Sequence, residues 1–445
     1  MKTSSRQTIF SQTLLSAALL ISLSSFATEI VLTPQKPGGI VEVGEAVEWR
    51  VEISNPPTPP IAQVHYALKK GGLTILKEGT LDLSAGPATL KASLDEPGTI
   101  LAEVKATVDG KEIKSLAGVA VAPNLIKLSA PRPDDFDAFW QAKIEQLNAV
   151  PENGQVESAD SGNPAVDYFK VRLDNIRETH VYGQLARPKN DAAKDAKYPA
   201  LLLVQYAGIY PLPKNNVVGR AAQGWLTFNI MAHDLPFDQP DAFYKEQSQG
   251  KLKDYLAIGD EDRDASYFLR MYLGCYRAVE FLSHRPDWDG KTIVVMGTSQ
   301  GGQQALVTAA LNPKITAMLA NVPAGCDTTG PWAGRAAGFP YWSAHAKWRG
   351  KPDADKRVME TSRYYDTANL AARIKCPALV ALGLIDETCP PSGVFSAFNQ
   401  MQGPKEAVVM VNSDHQGHNH SQKQWGERSD AWLKALLAGQ KVPVK

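Results

Sequence analysis

The chain has 445 residues, of which 44% are hydrophobic and 21% are charged. That length is long for one compact domain, and the composition is sufficient for a large soluble core. Its 47 basic and 47 acidic side chains give a formal net charge of zero. The balance excludes the strongly basic surface that is typical of nucleic-acid-binding proteins, and a neutral substrate fits it without being required by it.

The N-terminus has the pattern of a signal peptide over residues 1–27. Lys2 supplies a positive start, the apolar stretch Leu14–Leu23 follows, and small residues precede a cleavage point after Ala27. The ten residues of that stretch are too few to span a bilayer, which needs about 20. We therefore expect an exported protein, periplasmic or secreted, that has no membrane segment after cleavage.

Residues 28–122 are predicted to be all-β. Val47–Ile53 alternates apolar and charged side chains with the period of a half-buried strand. Asp109-Gly110 is a strong hairpin turn pattern between two strand-like runs. These features favour a small immunoglobulin-like β-sandwich that lacks paired cysteines. Trp49 lies among the alternating apolar residues, so the pattern favours its burial over a role as an exposed carbohydrate-binding aromatic.

Residues 123–445 change to alternating helices and strands. The acidic residues of Asp134–Asp137, followed by Phe139 and Trp140, predict a helix start, and Met271–Leu282 has one apolar helical stripe. Two paired strands are predicted at 168–173 and 180–186. Short apolar runs typical of strands buried on both faces follow at Ala200–Val204, Trp225–Met231, Thr292–Met296, Ala317–Val322, Ala378–Leu382 and Ala407–Val411. This alternation predicts an α/β fold with a doubly wound, mainly parallel sheet.

The strongest motif is Gly297-Thr298-Ser299-Gln300-Gly301, which follows a predicted strand and precedes the helix-forming run Gln303–Leu311. This order is typical of the nucleophile elbow of α/β-hydrolases, where the serine occupies a strained turn between strand and helix. The glycines allow the strand and the helix to approach closely. The helix N-terminus offers backbone N–H groups and a favourable dipole to a developing oxyanion. Ser299 is therefore the predicted nucleophile.

The acid and the base of such a site follow the nucleophile in chain order. Asp386 and Glu387 both follow a predicted strand, and Asp386 is preferred because it comes first, after an apolar pair. Three histidines remain beyond it: His415, His418 and His420. His415 lies nearest the preceding strand and is the predicted base, with His418 as its competitor and His420 as a weaker one. The loop spacing of these histidines matches no helical metal-binding pair, so no metal is expected.

The predicted chemistry is two-step acyl transfer. His415 removes the proton of Ser299 as the oxygen attacks an ester carbonyl, and Asp386 orients the imidazole. Two backbone N–H groups must stabilise the oxyanion. We expect one from Gln300 and the other from the loop Tyr206-Ala207-Gly208, with Tyr206 as the selected donor.

Several motifs carry a likeness that extends over residues 129–438. They are Asp134–Trp140, Arg277-Ala278-Val279, Gly297–Gly302, Tyr364-Tyr365-Asp366, Cys376-Pro377, Gly383–Asp386, Cys389-Pro390-Pro391, Phe395 and Asn399. By these motifs the sequence resembles the acetyl xylan esterase and cephalosporin-C deacetylase family of α/β-hydrolases. The resemblance implies removal of small acyl groups, usually acetyl, from decorated sugars, with Ser299 as nucleophile, Asp386 as acid, and no metal or organic cofactor.

Three positions depart from the family pattern. Gln205-Tyr206-Ala207 stands where the family has His-Gly-Tyr, so either Tyr206 or Ala207 supplies the oxyanion donor. Asp414-His415-Gln416 replaces Gly-His-Glu at the base, and Ala232-His233-Asp234 replaces Arg-Gly-Gln, for which a structural turn is favoured over a role in the pocket.

The signal peptide and the all-β part also lie outside the usual family pattern. Family members often form ring-like hexamers, and this departure leaves the assembly of the chain as a homo-oligomer open. A spacer, a dimer contact and a lid on the active site are equally open roles for the all-β part.

The predicted function is a secreted serine esterase that removes acetyl groups from acetylated carbohydrates such as xylo-oligosaccharides. Its expected partner is a small-molecule or oligosaccharide ester, not nucleic acid. An α/β-hydrolase with other ester or peptide specificity is the alternative, because specificity depends on pocket shape. A binding protein on an inactive hydrolase scaffold is disfavoured by the complete set of serine, acid and histidine.

The four cysteines, Cys275, Cys326, Cys376 and Cys389, match no zinc pattern. Export permits disulfides between them without requiring any. Cys275 and Cys376 are predicted to be small buried hydrophobic residues.

Overall fold

The structure, a computed structural model, describes residues 27–189, 195–344 and 354–445. The predicted signal peptide, apart from Ala27, lies outside the described residues. Among the helices of the described ranges, none combines the length and the hydropathy that crossing a bilayer requires.

The N-terminal region consists of two small sheets with strand orders β1-β3-β6 and β2-β8-β7-β4-β5. Apolar side chains from both sheets meet in one core, in which Trp49 is fully buried as predicted. The predicted hairpin joins β7 and β8, and its turn residues Asp109 and Gly110 have φ angles of +50° and +75°. The strands are β1 Glu29–Pro34, β2 Ile40–Val41, β3 Val47–Ser54, β4 Gln63–Lys70, β5 Thr74–Asp82, β6 Ala88–Ala92, β7 Gly98–Val108 and β8 Lys111–Val121.

The remaining strands and the helices alternate along the chain. The strands are β9 Gln155–Ala159, β10 Val166–Asp174, β11 His180–Pro188, β12 Tyr198–Val204, β13 Leu226–Ile230, β14 Trp288–Thr298, β15 Ala317–Asn321, β16 Ala378–Gly383 and β17 Lys405–Met410. The helices are α1 Phe136–Asn148, α2 Asn215–Ala222, α3 Asp241–Gln249, α4 Tyr267–His284, α5 Gln300–Leu311, α6 Ala354–Tyr365, α7 Thr367–Ala371, α8 Pro391–Gln400 and α9 Lys423–Leu437. Short 3-10 helices lie at Pro123–Leu125, Ile176–Glu178, Tyr255–Ala257, Gly330–Ala333 and His418–His420.

These nine strands form one sheet in the order β17-β16-β15-β14-β12-β13-β11-β10-β9. Strands β12 to β17 are parallel to one another, and β9, β10 and β11 add an antiparallel edge. Alternate residues of a strand pack on opposite faces: Val295 belongs to the core that includes α4 and α5, while Val294 belongs to the core that includes Trp432 of α9. This is the predicted doubly wound sheet, and its parallel strands end at one shared edge.

The all-β region lies against the loop that follows β16, which we call the acid loop (Leu384–Pro390). Strand β8 approaches so closely that a Cβ atom added to Gly118 would lie 2.1 Å from the carbonyl oxygen of Leu384. The ammonium group of Lys114 is 2.7 Å from the carboxylate of Glu387 in the same loop. The all-β region therefore forms part of the surroundings of the acid loop.

Candidate active site

Ser299 occupies the turn between β14 and α5, with φ 59° and ψ −122°. This strained conformation places a non-glycine residue at positive φ. A Cβ atom at Gly297 would lie 2.3 Å from the backbone of Gly301, and one at Gly301 would lie 2.6 Å from the carbonyl oxygen of Val204. Both glycines of the motif are therefore required by the close approach of strand and helix. The Ser299 N–H donates to the carbonyl of Asn321 at 2.9 Å, which ties the turn to β15.

The structure brings the three predicted side chains into one hydrogen-bonded row. His415 Nε2 is 2.9 Å from Ser299 Oγ, and His415 Nδ1 is 2.8 Å from Asp386 Oδ2. The other oxygen of Asp386 accepts the N–H groups of Thr388 and Cys389 at 2.8 and 2.7 Å, so the acid loop fixes the carboxylate. Because the carboxylate only accepts, Nδ1 carries the imidazole proton and Nε2 is free to accept one from the serine hydroxyl.

The competing residues of the sequence analysis lie outside this row. The side chain of His418 is 71% exposed and pairs with the carboxylate of Asp414. His420 is also exposed. Glu387 points away to Lys114. The geometry therefore favours His415 over His418 and Asp386 over Glu387.

The predicted oxyanion donors lie on either side of Ser299. Gln300 is the first residue of α5, where a backbone N–H has no partner within the helix. Across from it runs the segment after β12, which we call the oxyanion loop (Gln205–Tyr210). Neither the Tyr206 N–H nor the Ala207 N–H donates to a backbone carbonyl of the described residues. Both remain candidates, and the Tyr206 side chain is 56% exposed.

The sequence matches known proteins over most of its length. Residues 126–434 match the family model described as Acetyl xylan esterase (AXE1). Acetyl esterase Axe7A of Xylanibacter ruminicola is 30% identical over 401 residues, which cover 88% of this chain and 88% of that protein. The chain belongs to the acetyl xylan esterase family. The resemblance predicted from the sequence is thereby confirmed, and the chain is a carboxylic ester hydrolase.

Solved structures of the acetyl xylan esterase family share the fold. An acetyl xylan esterase from Paenibacillus sp. R4 has a TM-score of 0.60 and 27% identity, covering 72% of this chain and 98% of that chain. Acetyl xylan esterase 1 from Thermoanaerobacterium has a TM-score of 0.58 and 23% identity, covering 68% of this chain and 97% of that chain. These likenesses confirm the predicted α/β-hydrolase fold. The family match begins at residue 126, so it leaves the all-β region outside.

Among the residues that replace the Arg-Gly-Gln motif of the acetyl xylan esterase family, Ala232 and His233 are buried behind the oxyanion loop and Asp234 is half-buried. His233 is fully buried, with Nε2 3.1 Å from the carbonyl oxygen of Gly208 and Nδ1 2.8 Å from the hydroxyl of Tyr267. Asp234 accepts the N–H of His180 at 3.1 Å, as expected of a structural turn. Both residues lie in a turn region, as the sequence predicts, and His233 in addition contacts the oxyanion loop.

One cluster in the described part of the chain resembles a metal site. Ligand atoms of Asp386, Cys389 and His415 lie within 4.8 Å of one another. Burial raises the pKa of the Cys389 thiol well above its usual range, and a protonated thiol is a poor metal ligand. A metal ion would also have to displace the hydrogen bond between the other two side chains. These residues therefore fit the hydrogen-bonded row better than they fit a metal ion.

All four cysteines carry free thiols. Cys275 is buried in the core beside α5, and the half-buried Cys376 packs against the same core, as predicted for small hydrophobic residues. Cys326 and Cys389 are buried as well.

Proposed function

We propose that the protein is an exported serine esterase that removes acetyl groups from acetylated carbohydrates such as xylo-oligosaccharides. The proposal rests above all on the row in which His415 lies 2.9 Å from Ser299 Oγ and 2.8 Å from Asp386 Oδ2. Membership of the acetyl xylan esterase family supports acetyl ester hydrolysis by this site.

The proposed reaction has two steps. His415 Nε2 accepts the proton of Ser299 as the serine oxygen attacks the acetyl carbonyl. It then donates that proton to the sugar oxygen as the bond between this oxygen and the acyl carbon breaks, and the sugar leaves with a free hydroxyl. The acetyl group is left on Ser299. Water, deprotonated by the same imidazole, releases acetate and restores the serine. Asp386 holds the imidazole in the required tautomer and stabilises its charged form. The N–H groups of Gln300 and Tyr206, with Ala207 as the alternative, stabilise both oxyanions.

Substitution of the row tests the mechanism. With p-nitrophenyl acetate as substrate, Ser299→Ala and His415→Ala are expected to lower kcat by about 10⁴-fold or more. His418→Ala is the matched control, because its exposed side chain pairs only with Asp414, and it should retain activity. Full activity of Ser299→Ala, or an inactive His418→Ala with an active His415→Ala, would overturn the assignment.

The substrate class needs a separate measurement. Acetate release from acetylated xylo-oligosaccharides, compared with rates on p-nitrophenyl acetate and octanoate, is expected to show activity on the sugars and a preference for the short acyl group. Fast hydrolysis of octanoate with none of acetate would instead favour another ester specificity. Export and self-association are further parts of the proposal. Cell fractionation with N-terminal sequencing of the mature chain tests the first, and light scattering tests the second.

A further inference from the structure

A buried polar cluster lies behind the oxyanion loop, on the side away from solvent. It contains His233, whose Nε2 faces the carbonyl oxygen of Gly208 at 3.1 Å. Because a carbonyl only accepts, Nε2 carries the proton, and Nδ1 must accept from the Tyr267 hydroxyl at 2.8 Å. Arg270 in turn donates to that hydroxyl at 3.2 Å and to the carbonyl of Ala232 at 2.9 Å. A series of hydrogen bonds therefore runs from Arg270 through Tyr267 and His233 to the carbonyl of Gly208.

His233 stays neutral in this environment. Burial, together with the positive charge of Arg270, lowers its pKa from 6.5 to about 3. A neutral imidazole with a fixed tautomer can only donate to Gly208 from Nε2, so it holds the loop carbonyl at one place. The imidazole cannot exchange protons with the reacting serine, since both of its nitrogens are occupied within the cluster.

Tyr255 connects this cluster to the nucleophile helix. Its hydroxyl donates to Gln300 Oε1 at 2.7 Å, and its ring packs edge-on against His233 with 4.8 Å between centroids. The His233 imidazole in turn donates to the carbonyl of Gly208. Tyr255 therefore contacts both the helix that carries one predicted oxyanion donor and the imidazole that holds the loop carrying the other.

The end of the oxyanion loop that directly follows β12 is fixed by hydrogen bonds on the same side. Gln304 of α5 donates to the carbonyl of Gln205 at 2.7 Å. The Gln205 amide accepts the N–H of Ala232 at 2.9 Å and donates to the carbonyl of Tyr210 at 3.2 Å. Tyr206 is 56% exposed, and its ring stacks on Tyr210 of the same loop with 4.7 Å between centroids. Hydrogen bonds to the loop carbonyls and from glutamine side chains fix the oxyanion loop. The N–H groups of Tyr206 and Ala207 are left available for the substrate.

We propose that Tyr255 and His233 are positioning residues that set the separation and direction of the two oxyanion donors. The inference rests on the proposed serine-esterase function, because the donors matter only if an oxyanion forms beside Ser299. Donors of this kind accelerate a reaction to the extent that they are already in place before it begins. Displacement by a fraction of an ångström should therefore weaken transition-state binding and leave ester binding unchanged.

Tyr255→Phe removes the hydroxyl that bonds Gln300 and keeps the ring that packs against His233. We expect kcat for p-nitrophenyl acetate to fall about 10- to 100-fold while KM changes by less than about threefold. Tyr244→Phe is the matched control. That buried tyrosine also donates one hydrogen bond, to the carbonyl of Pro236 at 2.7 Å, and accepts the Gln239 N–H at 3.0 Å, and neither partner belongs to the oxyanion loop. The control should lose a similar amount of thermal stability and keep its kcat.

A trifluoromethyl ketone inhibitor supplies a second measurement, because its adduct with serine places an oxyanion in the hole. Its affinity should fall in Tyr255→Phe by about the same factor as kcat. His233→Gln should retain most of the activity, since an amide can donate to Gly208 and accept from Tyr267, whereas His233→Ala should not. An unchanged kcat in Tyr255→Phe, or an equal loss in Tyr244→Phe, would overturn the inference. Full activity of Ser299→Ala would instead overturn the proposed function itself.

Discussion

Replacing Gly118 by alanine should impair catalysis from outside the α/β part of the protein. A Cβ atom at this position would lie 2.1 Å from the carbonyl oxygen and 2.6 Å from the carbonyl carbon of Leu384, both backbone atoms. Side chains do not approach backbone atoms closer than about 3 Å, so one of the two segments must move by about 1 Å. Leu384 stands two residues before Asp386, and its N–H donates to the carbonyl of Met410 at 3.1 Å.

The same shift would also displace the catalytic base, His415. The Ile385 N–H donates to the carbonyl of Ser413, two residues before His415. Misplacement of a reacting group by about 1 Å can cost about 100-fold in rate, so we expect kcat to fall between about 10- and 100-fold. Overpacking should also lower the free energy of unfolding by about 1–3 kcal/mol.

The assay combines kcat and KM for p-nitrophenyl acetate with urea unfolding. Gly79→Ala serves as the control, because it lies in β5 of the same region and the nearest atoms to its Cβ would be side-chain atoms of Tyr66, 3.3 Å away. It should leave kcat unchanged. A Gly118→Ala variant that is destabilised but has wild-type kcat would refute the claim that β8 supports the acid loop.

Further predictions concern the acid Asp386, the ion pairs of Lys114, and the buried residues His233 and Cys275. Asp386→Asn should lower kcat by about 10⁴-fold, whereas Glu387→Gln should stay near wild type in the same ester assay. Lys114→Ala removes the partly exposed ion pairs to Glu387 and, at 4.0 Å, to Glu103, so unfolding should show a loss of about 1 kcal/mol or less that disappears in high salt. The pKa of His233 is about 3 in the folded state against 6.5 for the free side chain, so stability should fall as pH drops below 6.5. Urea unfolding of His233→Gln should show a pH slope smaller by about 1.4 kcal/mol per unit between pH 4 and 6. Because burial raises the pKa of Cys275 to about 12, its thiol should resist alkylation until the protein unfolds. Rapid labelling of the native protein at Cys275 would contradict this.

The parts of the site that depend on residues close together in the sequence could be predicted. The elbow around Ser299 could be predicted because strand, glycines and helix are contiguous, and Asp386 because it directly follows a predicted strand. His415 was harder, since three histidines share one loop and only the packed structure shows which one meets Ser299. Tyr255 was missed because it lies in a short 3-10 helix without a motif, and its role depends on contacts with residues far along the chain.

The site therefore has two kinds of support. The position of Ser299 is set by its sequence neighbours, because Gly297 and Gly301 pack directly against backbone atoms on either side of the turn. The acid loop and the oxyanion loop, by contrast, are held by distant residues. Gly118 of the all-β region packs on the acid loop, and His233, against which Tyr255 packs, holds the oxyanion loop. Substitution of these distant residues should lower kcat even though Ser299, His415 and Asp386 are themselves unchanged. We therefore predict that the all-β region, which lies outside the family match, is required for full activity and is more than a spacer. A chain from which residues 28–122 are deleted should lose activity even if the remaining α/β part binds its substrate.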